Sequence, residues 1–103
     1  MIRGTTPTFT FNLPFETSFI KTLSIVIQNK KIGEKLSIEK GLGDCSVSEK
    51  SLSCTLSQEE TLSFTYGDEI DIQLRILTTD DTAFASKIYT VSVDRILKDG
   101  VIS

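Results

Sequence analysis

Apolar and polar residues alternate with a period of two along most of this chain, which predicts strands rather than helices. Phe9, Phe11 and Leu13 mark a first strand that begins after Pro7 and is stopped by Pro14, and Phe15 to Ile20 reads as a crossing between sheets. Thr22 to Asn29 is a second strand. Its Leu23, Ile25 and Ile27 face one way and Val26 the other, which predicts a central strand covered on both sides. A hairpin turn at Lys30-Lys31-Ile32-Gly33 leads into a shorter strand with Leu36 and Ile38. Gly41-Leu42-Gly43-Asp44 then interrupts the pattern. Two short strands follow, Cys45 to Ser48 and Ser51 to Leu56. Ser57-Gln-Glu-Glu60 has the spacing of a capping box, and no 3.6-residue period continues past Leu62, so one helical turn is expected near residues 57–61. After a turn at Tyr66-Gly67-Asp68 comes the longest strand, with Ile70, Ile72, Leu74 and Ile76 on one face and Asp71, Gln73 and Arg75 on the other. A polar loop from Thr78 to Thr82 precedes the last strand, Phe84 to Val93, whose Tyr89, Val91 and Val93 are expected to point inward.

About seven short strands and one capped turn late in the chain predict an all-β fold, an immunoglobulin-like antiparallel β-sandwich. The 103 residues suffice for one core, and no linker or repeat divides them. The expected organisation is one sandwich domain over 1–103. Residues 1–6 form an arm, and 95–103 a tail, outside the core. A composition of 39% apolar and 24% charged residues excludes disorder and low complexity. The net charge of −3 gives no general attraction to nucleic acid or an anionic membrane. Lys30, Lys31, Lys35 and Lys40 lie close in sequence, but Glu34 and Glu39 interleave them, as on a solvated hairpin. No stretch approaches the roughly 18 apolar residues of a membrane span. The opening residues also lack the apolar region of a secretion signal, so folding in a reducing cytoplasm is expected.

The absence of histidine bears most on chemistry. It removes the usual general base of nucleophilic hydrolases and the commonest zinc ligand. The acidic pairs Glu59-Glu60, Asp68-Glu69 and Asp80-Asp81 fall in turns or at a helix start, where solvation and capping favour carboxylates. None has the spacing of a calcium loop. No catalytic, metal-binding or cofactor-binding residue is expected. If Glu49-Lys50 centre a hairpin turn, Val47 faces Leu52 and Cys45 lies opposite Cys54, all on the inward face with Leu56. The two cysteines read either as a cross-strand disulfide or redox pair, or as buried reduced thiols. The lack of a secretion signal favours the second. At the chain ends, Met1, Ile2 and Arg3 precede the first strand, while Ile96, Leu97, Val101 and Ile102 follow the last. Apolar groups beyond a finished core either fold back over it or dock on another chain. These seven residues are the candidate interaction sites.

The opening Ile2-Arg-Gly-Thr-Thr-Pro-Thr-Phe-Thr-Phe-Asn-Leu-Pro-Phe15 resembles the start of small proteins from bacteriophage and prophage structural regions of Firmicutes. The resemblance continues through Leu56-Ser-Gln-Glu-Glu-Thr-Leu62, Ile72-Gln-Leu-Arg-Ile-Leu-Thr-Thr79 and Ala85-Ser-Lys-Ile-Tyr-Thr-Val-Ser-Val93, and so spans nearly the whole chain. The last hairpin is also similar to the end of the N-terminal immunoglobulin-like domain of phage baseplate upper proteins. The resemblance implies a non-enzymatic, tail- or baseplate-associated structural protein, made in the bacterial cytoplasm and carried in the virion. Its partners would be other phage structural proteins and copies of itself, not nucleic acid or membrane. It carries no active-site residues over. This chain lacks the receptor-binding extension that follows the baseplate domain, which counts against attachment to host sugars. The alternative is a ligand-binding module, for carbohydrate or a host surface, on the same scaffold. The lack of Trp weighs against it.

Overall fold

A computed structural model describes residues 1–30 and 36–103. Among the described residues, eight strands and one short helix follow in the order β1 (Thr8–Asn12), β2 (Ile20–Asn29), β3 (Ser37–Gly41), β4 (Cys45–Ser48), β5 (Ser51–Thr55), α1 (Gln58–Leu62), β6 (Glu69–Thr78), β7 (Ala83–Ala85) and β8 (Tyr89–Ser92). Short 3-10 turns occupy Thr17–Phe19 and Leu42–Asp44. Beyond Lys30, the turn expected at Lys30-Lys31-Ile32-Gly33 lies outside the described residues.

Two antiparallel sheets form, ordered β1-β5-β4 and β3-β2-β6, with β7 and β8 both paired to the far side of β6. This is an immunoglobulin-like sandwich. In the letters of that fold, β1, β4 and β5 are strands B, D and E, and β2, β3, β6 and β7–β8 are C, C′, F and G. Strand A, which lies beside B in that order, has no equivalent at the outer edge of β1 among the described residues. The N-terminal arm instead makes one parallel bridge, Ile2 to Asp94, just past β8.

The core comes from the inward residues of β2 and β6. Leu23 faces Ile76, Ile25 faces Leu74 and Ile27 faces Ile72, and all six are buried. Ile20 is also buried, although it lies at an odd spacing from Leu23. A bulge between Ile20 and Thr22 absorbs the extra residue and returns Ile20 to the core side. Phe11, Leu52, Cys54 and Leu56 close the core from the other sheet. The molecule is 17 Å across its shortest axis, which accommodates two sheets stacked about 10 Å apart and no third layer. The expectation that β2 is covered on both sides is therefore corrected. β2 is central in its sheet, but Val26 on the outer face is only half-buried.

The helical turn forms as its capping box predicts. The Glu60 amide donates to Ser57 Oγ at 3.1 Å, and the Ser57 amide donates to Glu60 Oε1 at 2.9 Å.

Candidate functional site

Both chain ends meet around α1 at one end of the sandwich. The Asp94 amide donates to the Met1 carbonyl at 2.7 Å, and the Arg3 amide donates to the Asp94 carbonyl at 3.1 Å. The Arg3 side chain, only 17% exposed, turns inward. Its Nε donates to the Phe64 carbonyl at 2.7 Å, its Nη2 to the Leu62 carbonyl at 2.9 Å, and its Nη1 pairs with Asp99 at 3.1 Å. The two carbonyls sit where α1 ends and has no further turn to satisfy them, a place suited to a cationic fork. The buried Thr61 hydroxyl donates to the Thr5 carbonyl at 2.9 Å. Gly4 has a φ of +75°, and a Cβ there would lie 3.1 Å from Ile96 Cδ1, so the arm approaches the tail this closely only with glycine. The Gln58 amide grips the backbone of Ile102 on both sides, at 2.9 and 3.1 Å.

Four of the seven candidate interaction residues remain exposed at this end: Ile2, Leu97, Val101 and Ile102, with Leu97 95% exposed. The other three are engaged within the chain. Arg3 makes the ties just described, Ile96 is half-buried beside Gly4, and Met1 packs against the core. The arm thus does more than lie outside the core.

On one flank the sheets part to leave a cleft of about 590 Å³. Phe9 and Phe11 of β1 form one wall, Ile72 and Leu74 the floor, and Phe84 and Tyr89 the other wall. Phe11 meets Tyr89 edge to face, with ring centroids 6.3 Å apart. Tyr89 is 43% exposed, which corrects the expected core position: it stands at the cleft mouth, and Lys87 Nζ lies 5.2 Å from its ring centroid.

The wall that carries Tyr89 is broken. The single strand expected from Phe84 to Val93 is two, because Ser86 enters the ladder with its side chain. The Ser86 amide donates to the Leu74 carbonyl at 2.9 Å, while Ser86 Oγ accepts from the Leu74 amide at 3.0 Å in place of a backbone carbonyl. The register shifts by one residue across the break, from Ile76 opposite Phe84 to Ile72 opposite Tyr89. Phe84 and Tyr89 have opposite parity in the sequence. Two inward aromatics at such a spacing require the shift, and this was the available signal.

Cys45 lies opposite Cys54, as the hairpin register predicts. Both thiols are free, and Cys45 Sγ donates to the Gly41 carbonyl at 3.3 Å. Burial, with Cys54 alongside, pushes the Cys45 thiol up to about 11. Burial also raises Cys54. Thiols held this way are poor nucleophiles at neutral pH. Val47 does not share their inward environment. It is 50% exposed, because β4 is the outer strand of its sheet and Val47 lies two residues beyond Cys45, toward the open turn.

The acidic pairs have structural roles. Glu60 closes the capping box and meets Lys40 Nζ at 2.7 Å. Asp80 accepts from the Thr78 hydroxyl and the Thr82 amide, and Asp81 pairs with Lys21 at 3.3 Å. Asp68 and Glu69 open β6 from its turn. Among the described residues, no three His, Cys, Asp or Glu side chains gather as a metal site.

Comparison with protein-family models, curated proteins and solved structures finds no match.

Proposed function

We propose that this chain is a non-enzymatic structural module that works by self-association and by contact with other proteins. In the setting implied by its resemblance, those proteins would be components of a phage tail or baseplate. The observation that carries the proposal is the apolar cluster around the docked termini. The polar ties already hold the arm and tail in place, yet Ile2, Leu97, Val101 and Ile102 on these docked segments each stay exposed. A side chain as exposed as Leu97 contributes nothing to its own fold and is suited to burial against a neighbour.

The test is sedimentation of the full chain over a range of concentrations, alone and with co-expressed products of adjacent genes, beside Leu97→Asp with Ile102→Asp. Binding of a co-expressed product by the native chain that the double variant loses, with equal unfolding midpoints for the two isolated chains at high dilution, is the expected result. Identical behaviour of native and variant chains in every mixture would overturn the role of this cluster.

Carbohydrate binding in the cleft ranks second. Tyr89 is an exposed aromatic there, but the Lys87 ammonium covers its ring, where a sugar would have to stack.

A further inference from the structure

The free edge of β1 carries an inference that rests on the self-association reading above and assigns it a surface. The Pro7 carbonyl accepts from the Leu56 amide, and the Leu13 amide donates to the Lys50 carbonyl. These two bonds set the phase of the β1–β5 ladder. Residues 7, 9, 11 and 13 direct their backbone groups at β5, so Thr8, Thr10 and Asn12 direct theirs away from it. The side-chain contacts agree. Thr8 meets Thr55 at 2.7 Å and Thr10 meets Ser53 at 3.1 Å, the close approach expected of non-hydrogen-bonded pairs. Among the described residues nothing pairs with this outer edge. It is a row of outward amides and carbonyls at the mouth of an apolar cleft.

We propose that a second copy of the chain pairs its β1 antiparallel to this edge, about a two-fold axis through Thr10. The segment Thr8-Phe-Thr-Phe-Asn12 is nearly the same read in either direction, so the pairing is self-complementary. Thr10 exchanges two hydrogen bonds with Thr10 of the second copy, Thr8 does the same with Asn12, and Phe9 lies beside Phe11 on the inner face. The smaller sheet then continues through both molecules as six strands, and each β1 takes the place of the other copy's missing strand A. Self-complementarity selects this occupant, and charge permits it. Two chains of net charge −3 repel in general, but residues 8–12 carry no charge. Edge β3 bears Glu39 and Lys40, and the β7–β8 edge is broken at Ser86 and guarded by Lys87. A paired strand alone buries little beside the roughly 800 Å² that each side of a standard interface covers. The cleft adds to it, because the pairing carries Phe9 and Phe11 of each copy toward the other's floor at Ile72 and Leu74.

The experiment uses opposite charges at the axis. Thr10 is exposed, so Thr10→Lys and Thr10→Asp leave the fold intact, which equal unfolding midpoints at dilutions where the native chain is monomeric would verify. Each variant alone is expected to dimerise about fivefold or more weakly than the native chain, since like charges meet directly across the axis. An equimolar mixture of the two is expected to recover the dimer. Register is read separately. Cα atoms about 5.5 Å apart at the axis lie within disulfide range, so Thr10→Cys is expected to give a covalent dimer under mild oxidation while Thr8→Cys and the native chain do not. A native chain that sediments as a monomer throughout would overturn the pairing. So would charge variants that dimerise as the native chain does. If those same preparations lose association on Leu97→Asp, the terminal cluster carries assembly and only the edge pairing falls.

Discussion

The α1 end and the cleft flank complete the same sandwich by opposite means. At the α1 end, directional bonds from Arg3, Thr61 and Gln58 gather two distant chain segments onto specific carbonyl acceptors. On the flank, aromatic and aliphatic side chains line a space that the chain leaves open, and the backbone edge beside it is unused. Polar closure demands exact geometry and tolerates little change. Apolar closure demands only shape and can be supplied from outside. The comparison separates what holds this fold from what remains available to a partner.

The sharpest way to test that separation is a pair of phenylalanines. Phe64 is fully buried beneath the α1 end, and Phe64→Ala is expected to cost about 3–5 kcal/mol. Phe9 is half-buried on the cleft wall, and Phe9→Ala should cost about 1 kcal/mol, because water can enter where the ring is removed. Urea unfolding of both variants reads the difference, and equal losses would erase the contrast between the two regions. Arg3→Ala comes next, at about 1.5–3 kcal/mol, since it strips charged donors from the Phe64 and Leu62 carbonyls. Arg3→Lys should recover only part of this, because an ammonium cannot fork to both carbonyls and Asp99 as the guanidinium does. Ser57→Ala removes the cap of α1 for about 1 kcal/mol, seen as a lowered midpoint with an unchanged denaturant slope.

The smallest effect is on pH dependence. Burial works to raise the Glu60 carboxyl, but the Lys40 hydrogen bond and the Ser57 amide outweigh it and hold the group below its ordinary value. The Thr78 hydroxyl, followed by Thr82, holds Asp80 below its own. Their contributions are complete above the ordinary carboxyl range near pH 4 and are lost as pH falls through the lowered values. On the alkaline side, the Glu60 hydrogen bond raises Lys40 and burial raises Cys45 from 9.0 to about 11, so their contributions are complete below the ordinary values and lost as pH rises through the raised ones. Thermal midpoints across pH 3–11 should fall at both ends. Lys40→Met should flatten the acid side without touching the part due to Asp80.

Features encoded over a few residues were legible in the sequence. The alternation of Ile70, Ile72, Leu74 and Ile76 placed the central strand, Ser57 and Glu60 placed the helical turn, and the Glu49-Lys50 turn placed Cys45 against Cys54. Features that depend on where distant segments meet were not. Nothing near Arg3 in the sequence signals that its acceptors are 59 and 61 residues away. Val47 has the alternation of a core residue, but its exposure follows from being on an outer strand. The cleft itself is produced by two edges from different sheets, and local periodicity describes only one strand at a time. Among the candidate interaction residues, hydrophobicity alone could not separate exposed Leu97 from Ile96, which the nearby Gly4 draws in.

The parallel bridge between Ile2 and Asp94 has a mechanical consequence. Segments near the two ends of the chain run side by side in the same direction. A pull applied to the ends in opposite senses therefore slides one segment along the other. The bonds from the Asp94 amide to Met1 and from the Arg3 amide to Asp94 lie across that line of force and share the load together. An antiparallel arrangement would open one bond after another. Held by its ends within a larger assembly, this sandwich would meet tension in shear, with the Arg3 guanidinium tying the loaded segment to the carbonyls of Leu62 and Phe64 where α1 ends.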